Sequence, residues 1–254
     1  MTSQPASSTT VPLSPLKEGI KKAYNTISNT YSDWTRTHHT TRIKYLNLLL
    51  KHLNSNAPTP QSVLELGCGS GNPITSLLAS SQSPTNSANT SSSAPRFKVI
   101  GNDISQQQLH LASEVLSSFK NVELKEGDMM DLSFTERSLD AVLGMYALIH
   151  LPREEQKVLL KRIHTWLKPG GYFLGNFAVE EQESAFDHTW LGCGADGGVM
   201  FWSSWGEEKT CGIFAEIGME VIIREVVQDA EEGSDGGEKR VLFVWILGRK
   251  QQDI

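Results

Sequence analysis

Short apolar runs alternate with amphipathic stretches along most of the chain. Residues 18–34 and 41–53 predict helices, the second with Ile43, Leu46, Leu49 and Leu50 on one helical face. Val63-Leu64-Glu65-Leu66 predicts a buried strand that runs into Gly67-Cys68-Gly69-Ser70-Gly71, and residues 74–78 resume a helical pattern. The same rhythm then repeats. Strands are expected at 97–101, 122–125, 139–145 and 172–177. Helices are expected at 105–119, where Ser105 and Gln108 fit a capping box, and at 153–167, entered through Pro152. Residues 207–217 predict a last helix, and 219–227 and 240–248 two last strands. The link between those strands is short, acidic and glycine-bearing, so they should pair as an antiparallel hairpin.

Seven strands alternating with helices predict an α/β fold with a doubly wound, mostly parallel, Rossmann-like sheet, an antiparallel edge hairpin and N-terminal helices. In such a sheet the ligand site lies beyond the carboxyl ends of the strands, here beside the glycine turn. Residues 1–17 lack the basic start and apolar stretch of a signal peptide and are expected to form a flexible tail. Residues 18–254 are expected to form one domain. Residues 79–95 are rich in Ser, Thr, Asn and Pro, a composition with too little apolar surface to order itself, and read as an inserted surface loop.

With 254 residues, 39% hydrophobic and 20% charged, the chain has material for a packed core. No apolar run is long enough to span a bilayer, so a membrane partner is not expected. The net charge of −6 disfavours nucleic acid, whose phosphates are neutralised by Lys and Arg. Cys68, Cys193 and Cys211 are odd in number and far apart, which points to reduced thiols and a cytoplasmic location. The histidines show no metal-binding spacing, so no metal is expected.

Glycines after a buried strand let the chain bend sharply and let a ligand touch the backbone. A dinucleotide fingerprint needs a glycine where Asn72 stands, so nicotinamide and flavin coenzymes fit less well. Taken with Glu65 before the turn, Asp103 and Asp128 after the second and third strands, and the Lys168-Pro169-Gly170-Gly171 turn, residues 60–178 resemble the class I S-adenosylmethionine-dependent methyltransferases. Within them they are most similar to the small-molecule branch of the ubiquinone/menaquinone-biosynthesis type. The gap from Gly71 to Asp103 is about ten residues longer than usual for that family, and the Ser-rich segment fills it.

The resemblance implies S-adenosyl-L-methionine as cofactor and a small organic acceptor, methylated on O, N, S or C. It places Gly67, Cys68, Gly69 and Gly71 under the methionine part, with Glu65 ordering the turn. Asp103 would accept from the ribose hydroxyls, Ile104 would press on the adenine, and Asp128 would accept from its amino group. The Met129 backbone would lie at the ring edge and Met145 near the sulfonium. Tyr31, with Arg42 as cationic partner, would reach the methionine carboxylate, or Tyr31 packs the helices onto the sheet.

Tyr146 and His150 follow the fourth strand and are candidates for acceptor contact. His150 is either a proton acceptor or a helix-entry histidine bonded to backbone. Trp190, Met200 and Trp202 lie in an aromatic-rich stretch that reads either as a lid over the acceptor or as packing beneath a long loop. A non-methylating scaffold or binding protein that keeps the fold is the alternative function. The oligomeric state is left open.

Overall fold

The computed structural model describes residues 13–54, 57–82, 94–232 and 238–252. Seven strands form one sheet in the order β3-β2-β1-β4-β5-β9-β8. They are β1 (Gln61–Leu66), β2 (Phe97–Asp103), β3 (Val122–Glu126), β4 (Leu139–Gly144), β5 (Leu167–Ala178), β8 (Met219–Glu232) and β9 (Glu238–Lys250). The first five pair in parallel, while β9 pairs antiparallel with β5 and with β8, which closes the edge as the expected hairpin.

Period-two alternation assigns the strand side chains to two layers. Leu64, Leu66, Val142 and Phe173 face one layer with Leu159, Leu160 and Ile163 of α6 (Arg153–Trp166) and Phe214 of α7 (Glu207–Glu216). Val63, Val99, Ala141, Leu143 and Leu174 face the other, against α3 (His39–His52) and α4 (Ile74–Ser80). There Tyr45 stacks on Trp245 with ring centroids 4.2 Å apart. With both faces covered, β1 and β4 are almost wholly buried, which is why they read as continuous apolar runs.

Some boundaries differ from expectation. The helix assigned to 18–34 breaks into α1 (Pro15–Thr26) and α2 (Ser28–Trp34), and α1 starts inside the expected tail because Ser14 caps Pro15 at the first helical position. Residues 1–12 lie outside the described residues. The expected loop begins late, since α4 runs to Ser80 and a bridge joins Gln82 to Pro95; its residues 83–93 lie outside the described residues. Half of the capping box forms: Ser105 Oγ accepts from Gln108 N–H and starts α5 (Gln106–Val115), while Ser105 N–H donates to Asp103 and not to the Gln108 side chain.

Two strands flank the aromatic turn. β6 (Glu181–Asp187) and β7 (Met200–Trp205) pair as a separate two-stranded sheet. Most of β6 is exposed, so it offers no apolar alternation for sequence reading to detect. No described helix is long and apolar enough to cross a membrane.

Candidate functional site

The strand order reverses beside β1, because β2 and β3 extend to one side and β4 to the other. The glycine turn sits at this crevice. Gly67 and Gly69 have φ of +63° and +56°, a region that side chains rarely adopt. A β-carbon on Gly67 would also stand 2.8 Å from the Ala147 methyl. Cys68 N–H donates to the Asn102 carbonyl at 2.9 Å, which pins the turn to the end of β2. The Cys68 side chain is buried and its thiol is pushed well above its usual pKa by burial, so it offers a ligand only its main chain.

Above the turn lies a narrow cleft whose lining includes Tyr31, Arg42, Glu65, Gly67, Gly69 and Met145. Thus, Gly71 apart, the residues expected around the methionine part line one cleft. Gly71 lies at the back of the turn, where an added β-carbon would stand 2.8 Å from Leu116. Sequence reading missed Ser32, Thr35 and Asn72, which line the same cleft. Asn72 follows the last glycine directly and was findable; Ser32 and Thr35 arrive through helix packing alone. A larger recess near Ser80, Pro95 and Phe119 sits away from the turn.

Two opposite charges face the cleft. Glu65 is buried and accepts from Thr75 Oγ1 at 2.5 Å. Burial raises its pKa to about 7, against the opposing effects of Thr75 and Arg42. Arg42 lies over the Tyr146 ring, its guanidinium carbon 4.9 Å from the centroid, and its Nε is buried with no partner.

Asp103, at the end of β2, accepts from Gly69 N–H at 2.9 Å and Ser105 N–H at 2.8 Å. One carboxylate therefore joins the glycine turn to the start of α5, while burial raises its pKa to about 6. Asp128 accepts from Met130 N–H at 2.9 Å through one oxygen, and its other meets the Lys17 ammonium at 2.5 Å. Lys17 also meets Glu155 at 2.6 Å and is nearly buried. Sequence reading missed this partner because Lys17 lies in the expected tail. Further along α1, Lys21 pairs with Glu126 and Asn25 accepts from Ser105 Oγ and Gln107 N–H. The helix is thereby tied across the ends of β2 and β3, where Ile104 and Met129 are partly exposed.

On the other side of the cleft, Tyr146 stands at φ +56° and donates its phenol to Asp229 at 2.6 Å. Its backbone N–H donates to Asn176 Oδ1 at 2.6 Å. Of the two roles open to His150, the geometry favours the backbone-bonded one. Its Nδ1 lies 2.8 Å from the Phe201 carbonyl and its Nε2 2.8 Å from the Tyr24 hydroxyl, and burial lowers its pKa to about 4. A carbonyl only accepts, so Nδ1 carries the proton and Nε2 takes the Tyr24 hydrogen. Both nitrogens are occupied, so the geometry favours a neutral, backbone-tied histidine over a proton acceptor. Met200 takes the packing role and not the lid: it is fully buried with Ala23, Ile27 and Cys193 beneath α1 and has no face open to a ligand. Trp190 and Trp202 stay partly exposed, with ring centroids 5.8 Å apart.

A doubly wound sheet, a glycine turn at the switch point and carboxylates closing the next two strands define the class I methyltransferase fold. Residues 63–171 match the family model described as a methyltransferase domain, and this segment carries the likeness to the class I S-adenosylmethionine-dependent methyltransferases. A demethylmenaquinone methyltransferase of Lactobacillus johnsonii is 34% identical over 111 residues, 42% of this chain and 40% of that protein. Its counterpart from Staphylococcus carnosus is 35% identical over 77 residues, 30% of this chain and 31% of that one. The match thus spans well under half of these curated relatives.

Among solved structures, an S-adenosylmethionine-dependent methyltransferase of Methanosarcina mazei aligns with a TM-score of 0.59 at 18% identity, covering 81% of this chain and 98% of its own. The 1,6-didemethyltoxoflavin-N1-methyltransferase of Burkholderia thailandensis, solved with 1,6-didemethyltoxoflavin and S-adenosylhomocysteine, aligns with a TM-score of 0.60 at 16% identity, covering 96% and 93%. These likenesses are of fold.

Proposed function

We propose that this chain binds S-adenosylmethionine in the cleft above the glycine turn and methylates a small organic acceptor. The observation that carries the reading is the pairing of an unpartnered Arg42 N–H with the Glu65 carboxylate across a glycine-floored cavity. An amino acid bears one carboxylate and one ammonium, and this cleft offers the complement of each. A ligand ammonium beside Glu65 would also hold that group ionised at pH 7 despite its burial.

When bound, the cofactor supplies a methyl group already activated on a sulfonium. The chain's own part is to bind, orient and exclude water. Gly67, Cys68 and Gly69 form the floor, Gly71 turns the chain behind it, Tyr31 and Arg42 hold the carboxylate end, and Met145 borders the reacting end. Asp103 keeps the turn in shape and has lone pairs left for the ribose hydroxyls. Asp128, with Met129 and Ile104, takes the adenine edge, and Lys17 pairs with its other oxygen. Tyr146, Trp190 and Trp202 border the acceptor, while His150 orients Tyr24 and takes no proton.

The acidic balance favours a small-molecule partner over nucleic acid, and the free thiols favour the cytoplasm. The methyltransferase unit runs from Pro15 onward, with the segment after α4 as an insertion. Calorimetric titration with S-adenosylhomocysteine tests the reading. Saturable binding that is lost in Arg42→Met and weakened in Glu65→Gln supports it; no binding to the folded protein refutes it.

A further inference from the structure

Five aromatic side chains from five separate segments form a closed ring next to the cofactor cleft. Tyr24 of α1 meets Tyr31 of α2 with centroids 5.1 Å apart, and Tyr31 meets Trp190, in the turn after β6, at 5.9 Å. Trp190 meets Trp202 of β7 at 5.8 Å, and Trp202 meets His150, in the turn after β4, at 6.2 Å. His150 returns to Tyr24 at 5.4 Å. None of the five contacts is stacked; the rings meet at 42° to 89°, as walls of a box do. A five-sided ring with such edges has its centre roughly 5 Å from each corner, inside the ~6 Å over which an aromatic face attracts a cation.

Each of the five side chains keeps some accessible surface. Yet burial raises the Tyr24 phenol and lowers the His150 imidazole, so these groups are deep enough to lose solvation while still being reachable. The walls are also neutral. Tyr24 donates to His150 Nε2 and His150 Nδ1 donates to Phe201, which leaves His150 uncharged at pH 7 and the ring without a free proton acceptor. Asp103 and Arg42 act on Tyr24 with opposite sign. Tyr31 is a shared wall, since it also lines the cleft beside Met145.

We propose that this ring is the acceptor site and that its substrate is an aliphatic tertiary amine, whose nitrogen leaves as a quaternary ammonium held against the aromatic faces. The inference rests on the methyltransferase reading above. The amine sheds any proton to water before it enters. Its lone pair then forms the N–CH₃ bond as the S–CH₃ bond breaks, with the breaking pair left on sulfur. Positive charge passes from sulfur to nitrogen and no proton is released, which suits walls that attract cations and hold no base. An alcohol or thiol acceptor would need a proton removed, and the ring has no group free to take it.

The test uses choline, a quaternary ammonium, and its neutral isostere in which carbon replaces nitrogen. Both are titrated into protein saturated with S-adenosylhomocysteine, read by calorimetry and by fluorescence of Trp190 and Trp202. Choline should bind at least about tenfold more tightly than the isostere, and Trp190→Leu should weaken choline by about tenfold while leaving S-adenosylhomocysteine affinity unchanged. Equal affinity for the two probes, or no saturable choline binding, overturns the proposal while the methyltransferase reading stands. Failure of S-adenosylhomocysteine to bind overturns that reading instead, and the two probes on the free protein still judge the ring. If Trp190→Leu does not fold, the wild-type comparison decides.

Discussion

Replacing Asp103 with Asn separates its charge from its shape. The carboxylate accepts from two backbone N–H groups at 2.9 and 2.8 Å, one on the glycine turn and one at the start of α5. Asparagine keeps one acceptor oxygen and turns an NH₂ toward the other amide, so one charge-assisted hydrogen bond is lost and a donor faces a donor. A bond of that kind is worth about 1.5–3 kcal/mol, which predicts S-adenosylhomocysteine binding weaker by roughly 10- to 100-fold. The pH dependence gives a sharper check. The folded pKa is raised to about 6 from 3.8, so the folded state holds this proton more tightly than the unfolded chain does. Stability from this group is therefore present at low pH and falls by about 3 kcal/mol as pH rises through that window. Ligand affinity, which needs the ionised form, moves the other way, dropping about tenfold between pH 7 and pH 5. Glu65 titrates nearby, so the difference between wild type and Asp103→Asn isolates Asp103. Calorimetry over this range, with circular dichroism to verify folding, is the assay. Wild-type affinity that is flat with pH, or equal affinity in the variant, refutes the reasoning.

Three other outcomes follow from the same geometry. Lys17→Met leaves the buried Asp128 carboxylate uncompensated and should cost about 3 kcal/mol, a fall in Tm of roughly 6–12 °C by calorimetry. Burial alone would lower the Lys17 pKa, but Asp128 and Glu155 outweigh it and raise it above 10.5, so this stabilisation is full below 10.5 and is lost only as pH rises through the higher folded value; an unchanged Tm at neutral pH contradicts the assignment. Gly67→Ala should destabilise by about 2–4 kcal/mol in urea unfolding, from the left-handed backbone and the Ala147 contact, and a neutral effect means the turn relaxes freely. In histidine-labelled protein, the NMR signal absent from His150→Phe should not titrate between about pH 8 and pH 5.5, since its pKa is about 4; a midpoint near 6.5 would restore it as a proton acceptor.

The order of elements was legible in the sequence because the central strands of a two-sided sheet are apolar nearly throughout and each covering helix is apolar on one face. Val63 to Leu66, the glycine turn and the acidic ends of β2 and β3 are local features, and local sterics decide them. What only the tertiary structure decided depends on residues far apart in the chain. Lys17 reaches Asp128 and Glu155 across more than a hundred residues, and Tyr24 meets His150 126 positions away. β6 forms because β7 pairs with it, although its own side chains carry no apolar pattern. His150 illustrates the division: its residue type suggested proton transfer, but burial against the Phe201 carbonyl and the Tyr24 hydroxyl fixed its charge. Periodicity and turn chemistry are written in neighbouring residues, whereas desolvation and long-range pairing exist only once the chain has folded back on itself.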